Sequence, residues 1–138
     1  MRGRFGVLAG ALGILVSAVS MVAHHSFAAE YDANKPVTLK GTVTKIEWMN
    51  PHARFYVDVK DEQGKVVNWN LELASPNVLV RNGWSRKSLN VGDEVTVEGS
   101  LAKDGSKMAN ARIVRLADGR RVFAGSSGGD APPPPARQ

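Results

Sequence analysis

Val37-Thr38-Leu39-Lys40-Gly41-Thr42-Val43-Thr44-Lys45-Ile46-Glu47-Trp48 is the stretch that decides the fold. Val37, Leu39, Gly41 and Val43 alternate with Thr38, Lys40, Thr42 and Thr44, the period of two that puts one face of a strand inside and the other in water. The apolar phase then moves to Ile46 and Trp48. Such a slip predicts a bulge near Lys45 in one long, bent strand. Pro51 ends it.

Downstream, Phe55, Val57 and Val59 alternate with Arg54, Tyr56, Asp58 and Lys60, and Val67, Trp69, Leu71 and Leu73 alternate with Asn68, Asn70 and Glu72. Asp61-Glu62-Gln63-Gly64 between them is turn chemistry, so the two segments read as a hairpin. The period then changes. Ser75 is placed to cap a short helix from Pro76 to Arg81, with Asn82-Gly83 as its stop. After Gly92-Asp93, Val95, Val97, Gly99 and Leu101 give a fourth strand, and Asp104-Gly105 turns the chain into a fifth around Met108 to Leu116. Asp118-Gly119 suggests one more turn, with Arg121 to Ala124 as a short strand. The fold class expected is all-β: a five-stranded, OB-fold-like small barrel with one short helix between strands 3 and 4. Another small antiparallel barrel or sandwich is the alternative. No window sustains a 3.6-residue apolar period over three turns, which excludes a helical protein.

The flanks have other compositions. Arg2 and Arg4 precede an uncharged, mostly apolar run from Phe5 to Ala23, the pattern of a secretory signal peptide. Cleavage after Ala23 leaves His24 first; cleavage after Ala28 is the other reading, and an uncleaved inner-membrane anchor a third. With residues 1–23 removed, the net charge falls from +5 to +3. That mild basicity is no nucleic-acid footprint, so nucleic acid is not expected as a partner. The domain is expected over 24–124, and residues 125–138, with Pro132 to Pro135, as a disordered Gly/Ser/Pro-rich tail. A periplasmic location, a monomer without stable membrane insertion, and a small ligand or periplasmic protein as partner follow as expectations.

Of 138 residues none is Cys, which excludes disulfides, thiolate metal sites and thiol nucleophiles. The three histidines, His24, His25 and His52, all fall outside the predicted strands. If His24 is the mature N-terminus, its amine and imidazole, the imidazole of His25 and that of His52 form a nitrogen set suited to Cu(II). Copper is therefore the one cofactor the residues suggest, and flexible or turn-bonded histidines are the plainer alternative. Trp48, Asn50, Arg54 and Tyr56 are the candidate ligand-binding residues. Tyr56, in the opposite phase to Phe55 and Val57, is the aromatic expected to present a ring. Trp69 and Trp84, with Arg81, are further stacking candidates, with core packing as the alternative. No Gly-x-Ser-x-Gly elbow, His-Glu-x-x-His pair or phosphate loop is present, and Glu47, Glu72 and Glu94 read as separate, solvent-facing carboxylates. No catalytic residue is assigned.

His24-His25-Ser26-Phe27, Gly41-Thr42-Val43, Trp48-x-Asn50-Pro51-His52 and Gly92-Asp93-x-Val95, in this order, resemble a family of small exported bacterial proteins, mostly from proteobacteria, catalogued as a domain of unknown function. The likeness runs from about His24 to Phe123. It implies export and an OB-like barrel, and it carries over no activity, cofactor or catalytic residue.

Overall fold

The computed structural model describes residues 27–125, so the apolar leader, His24, His25 and nearly all of the expected tail lie outside the described residues. A helical turn over residues 27–30 leads into β1 (Tyr31–Glu47), β2 (Arg54–Lys60), β3 (Val66–Glu72), the short helix α1 (Pro76–Arg81), β4 (Glu94–Ala102), β5 (Met108–Arg115) and β6 (Arg121–Phe123). Neighbours in the order β3-β2-β1-β4-β5-β6 pair antiparallel, and β3 pairs with β5 in parallel. That last pairing closes five strands into an uneven barrel of the OB-like kind.

The sheet has six strands rather than five. Leu116 donates its N–H to the Arg120 carbonyl at 2.8 Å across the Asp118-Gly119 turn, and the returning chain adds β6 to β5, Phe123 opposite Ile113. Gly125, first residue of the expected tail, is buried behind it.

β1 is the strand on which the barrel turns. Its first part pairs with β4, from Tyr31 opposite Ala102 to Thr42 opposite Glu94, and its second with β2, from Thr42 opposite Asp58 to Glu47 opposite Arg54. The β1–β2 register shifts between Val43 and Lys45, where the apolar phase slips. The extra residue lets one strand bend across both sides of the barrel while keeping Val43 and Ile46 inward. β1 also starts at Tyr31, six residues ahead of the alternating stretch, because pairing with β4 carries it through the polar segment around Asn34.

Phe55, Val57, Leu71, Val97, Val114 and Leu79 fill the core, each fully buried. The first five come from four strands of the barrel and the last from α1. Ser75 does not cap α1 through its side chain; the backbone carbonyl of Ser75 accepts from Leu79 at 3.0 Å instead, and Pro76 needs no partner for its nitrogen. Gly83, at φ +90°, stops the helix. Trp84 then turns inward. It is buried, and its indole N–H donates to the Phe123 carbonyl at 2.9 Å, so it ties the α1–β4 connection to β6 and offers no ring for stacking.

Two glycines answer to close backbone approach. A Cβ on Gly99 would stand 2.1 Å from the Asn110 carbonyl oxygen, and one on Gly41 would stand 2.4 Å from that of Asp58. Both sit beside register shifts, in β4 and β1. A methyl group cannot occupy either place without the strands parting. Gly99→Ala and Gly41→Ala are each expected to lower stability by about 1–3 kcal/mol or more in urea unfolding. An unchanged unfolding midpoint would show that the paired strands can separate freely there.

Candidate functional site

On β2 and β3 the residues facing out of the barrel are Arg54, Tyr56 and Asp58, opposite Glu72, Asn70 and Asn68 respectively. Strand alternation alone would leave all six in water. Five are part-exposed or exposed, but Glu72 is only 3% exposed. The expectation of a solvent-facing Glu72 is therefore corrected. The parallel strand β5 brings Asn110 alongside it, and the start of β1 lays Tyr31 over it.

A carboxylate taken out of water requires charge and hydrogen-bond partners. Arg54 Nη2 donates to Glu72 Oε2 at 2.5 Å, and Tyr31 Oη donates to the same oxygen at 3.2 Å. Asn110 Nδ2 donates to Oε1 at 3.4 Å, and His52 Nδ1 lies 3.3 Å from Oε1. Arg54 Nη1 reaches on to Asn70 Oδ1 at 3.2 Å. Each carboxylate oxygen thus has two partners, drawn from β1, the β1–β2 loop, β2 and β5. Burial, and next the negative charge of Glu72, push the Tyr31 phenol well above its usual range.

Two members of the cluster, Tyr31 and Arg54, line an open groove of about 430 Å³. Ala29 and Met108 supply its apolar surface, with the nearly buried Tyr31 and Ala102 behind them. Arg54 and Lys103 face it with Glu30 and Asp104. Lys103 fastens the rim, its backbone N–H donating to the Glu30 carbonyl at 2.9 Å and its ammonium to the Ala28 carbonyl. The groove lies in the size range of small-molecule sites.

Among the sequence candidates, Arg54 and His52 converge on Glu72. Tyr56 shares the Arg54 face of β2 but is half-buried, with Lys45 Nζ 5.1 Å from its ring centroid and its hydroxyl donating to Glu47 at 3.2 Å. Its ring is thus covered by a cation rather than presented bare. The Lys45 ammonium in turn holds the Glu47 carboxyl below its usual range, and Glu47 raises Lys45. Trp48 is half-buried against the core, and Asn50 is exposed beside a cis Asn50–Pro51 bond. Neither hydrogen-bonds to Glu72 or Arg54. Trp69 is half-buried under Lys107 Nζ, at 5.2 Å, and Arg81 is exposed. Among the described residues no three His, Cys, Asp or Glu side chains gather as a metal site.

Tyr31, Glu72, Asn70 and Asn110 are the site residues that sequence reasoning missed. Hairpin register did contain part of the signal: Arg54 and Glu72 each stand nine residues from Gln63 and are therefore cross-strand partners. Tyr31 and Asn110 carried none, because β1 and β5 reach Glu72 only through closure of the barrel.

The closed β-sheet and the short helix between β3 and β4 define a small OB-like barrel domain. A family described as a family of unknown function, DUF6152, matches residues 12–111, and the chain belongs to it. Among solved structures it is similar to the mitochondrial single-stranded DNA-binding protein Rim1 of S. cerevisiae. The two are 11% identical with a TM-score of 0.47, over 59% of this chain and 92% of that one. A search of the curated proteins found no match.

Removing the cation from Glu72 leaves a buried carboxylate without its charge partner, so Arg54→Met is expected to destabilise the fold by about 3 kcal/mol. Tyr31 makes a pH signature. Its phenol stays protonated in the folded chain above the ordinary value of 10.0, at which the unfolded chain gives up its proton. The stabilisation is therefore complete below pH 10 and is lost as pH rises above it. Tyr31→Phe should lose about 1.5–3 kcal/mol at neutral pH, the worth of a hydrogen bond to a charged group. It should also show a shallower alkaline decline than the parent in urea unfolding from pH 8 to 11. Parallel curves for the two proteins would refute the phenol–carboxylate coupling.

Proposed function

We propose that this chain is an exported, periplasmic, monomeric binding module that acts without catalysis, and that its ligand seats in the groove beside the Glu72 cluster. The observation that carries the reading is the shared wall: Tyr31 and Arg54 line the groove, and both are held in place by the same buried carboxylate. Side chains fixed before the ligand arrives lose little entropy when it binds. The apolar surface of Ala29 and Met108 suits a small ligand with an apolar body, and Arg54 and Lys103, flanked by Glu30 and Asp104, suit a compact anionic head small enough to seat on the two cations. Binding is favoured over catalysis because the buried Glu72 carboxylate already accepts from Arg54, Tyr31 and Asn110, so it is held as a structural group rather than poised as a general base. Export is supported by the charged start and apolar run of residues 1–23.

A nucleic acid is a poorer fit. The outward face of β1–β3 mixes Arg54 and Lys45 with Glu47 and Asp58, whereas phosphate tracking needs a stripe of one sign.

Titration of the protein with butyrate and with benzoate, followed by amide NMR, tests the groove. The expected shifts lie at Tyr31, Ala102, Lys103 and Met108, and Arg54→Lys, which keeps the charge but loses the guanidinium fork, should weaken binding at least threefold by rough expectation. Shifts confined to other faces of the barrel, or none at millimolar ligand, would count against it. In a Gram-negative host the protein should be recovered from the periplasmic fraction, shortened at its N-terminus; recovery at full length from the cytoplasm would refute export.

A further inference from the structure

We infer that the ligand of the groove is a small zwitterion, an α-amino acid with an apolar side chain, whose carboxylate meets Arg54 and Lys103 and whose ammonium meets Glu30 and Asp104. The inference rests on the reading that the groove binds, and it adds the second charge. Of the eight residues that line the groove four are charged, two of each sign. The two signs share one small surface. Lys103 and Asp104 are neighbours in the chain, and Lys103 lies across from Glu30, whose carbonyl accepts its backbone N–H at 2.9 Å. Tyr31 stands between the signs. Burial and then Glu72 act most strongly on its phenol, and beyond them Arg54 lowers it and Glu30 raises it.

A ligand with an anionic head alone brings its charge beside two carboxylates, and a purely cationic one faces Arg54 and Lys103. Like charge in a site rejects a ligand as opposite charge attracts it. A ligand carrying both signs leaves every charged group of the lining with a counterpart. Because the lining's opposite charges are adjacent, the ligand's must be close together too, as they are on the one α-carbon of an amino acid. The lining groups have capacity for it. Of the Arg54 guanidinium's five N–H groups, one donates to Glu72 and one to Asn70. The Lys103 ammonium uses one of its three on the Ala28 carbonyl. Neither Glu30 nor Asp104 enters an ion pair among the described residues. Hydrogen bonds to Ser106, from its side chain first and then its backbone, hold the Asp104 carboxyl below its usual range, so it is ionised at neutral pH. Ala29 and Met108 remain for the apolar side chain.

The test titrates the purified protein, followed by amide NMR, with three probes that share one apolar body. These are leucine, isocaproate, which is leucine without its ammonium, and isoamylamine, which is leucine without its carboxylate. Leucine should shift the amides of Tyr31, Ala102, Lys103 and Met108 and bind at least about fivefold more tightly than either analogue. The double variant Glu30→Gln with Asp104→Asn, its circular dichroism matching the parent, should lose that advantage and bind isocaproate more tightly than the parent does, because the repelling carboxylates are gone. Leucine bound no more tightly than isocaproate or isoamylamine, with the groove amides still shifting, overturns the zwitterion and leaves the groove reading standing. Absence of groove shifts with all three probes overturns both. An advantage for leucine that survives in the double variant overturns the roles of Glu30 and Asp104.

Discussion

The carboxylate of Glu72 is a charge held almost wholly out of water on the outside of a barrel, and the surrounding structure is arranged to make that tolerable. Left alone, such a group costs several kcal/mol. Here Arg54 supplies the opposite charge, Tyr31 and Asn110 donate hydrogen bonds, and the His52 ring stands 3.3 Å from the second oxygen. The location matters as much as the pairing. Every antiparallel ladder that closes the barrel runs for five or more residue pairs, whereas the parallel β3–β5 seam has three, and its last pair is Glu72 with Asn110. The cluster clamps the narrowest joint of the closed sheet. A domain of this size without a disulfide has few other ways to secure it.

The clamp also explains why groove and histidine lie together. Tyr31 crosses from β1 to reach Glu72, and in doing so carries the helical turn of residues 27–30 onto the rim, where Lys103 fastens it. One side of Tyr31 becomes groove wall while its hydroxyl completes the cluster. The same carboxylate meets the His52 ring from the β1–β2 loop. Structural security and the surface offered to a ligand are thus properties of the same side chains, so substitutions here will seldom separate them cleanly.

Much of the architecture was legible because β1, β2 and β4 each bury chiefly one face. The alternation at Val37–Val43 and its slip at Ile46 announced a bent strand, and the hairpin followed from the Asp61–Gly64 turn. Where both faces are covered the alternation is lost, although the Asp104-Gly105 turn still located the strand. Ala109, Asn110 and Ala111 are buried in succession because β5 sits between β4 and β3 and carries the clamp on its outer side. Trp84 was open to a binding role by composition and went to the core, since an indole N–H can be satisfied by the Phe123 carbonyl. Arg54 and His52 were recognisable as chemistry-bearing residues; the carboxylate that unites them was not, because its burial depends on elements far away along the chain.

The double duty of β1 bears on the order in which the barrel can form. Its second half finds β2 a few residues away, but its first half waits for β4, with Tyr31 opposite Ala102. The β3–β5 seam waits longer still, for Met108 to Asn110. A chain emerging amino end first therefore makes the β1–β2–β3 meander early and holds it open, one edge of β1 and one of β3 unpaired, until nearly the whole domain is out. Contacts this distant along the chain come slowly. The Glu72 carboxylate meets its partners in the same sequence: Arg54 within the hairpin, then Asn110 when the seam closes, so its full withdrawal from water marks the completion of folding rather than its beginning.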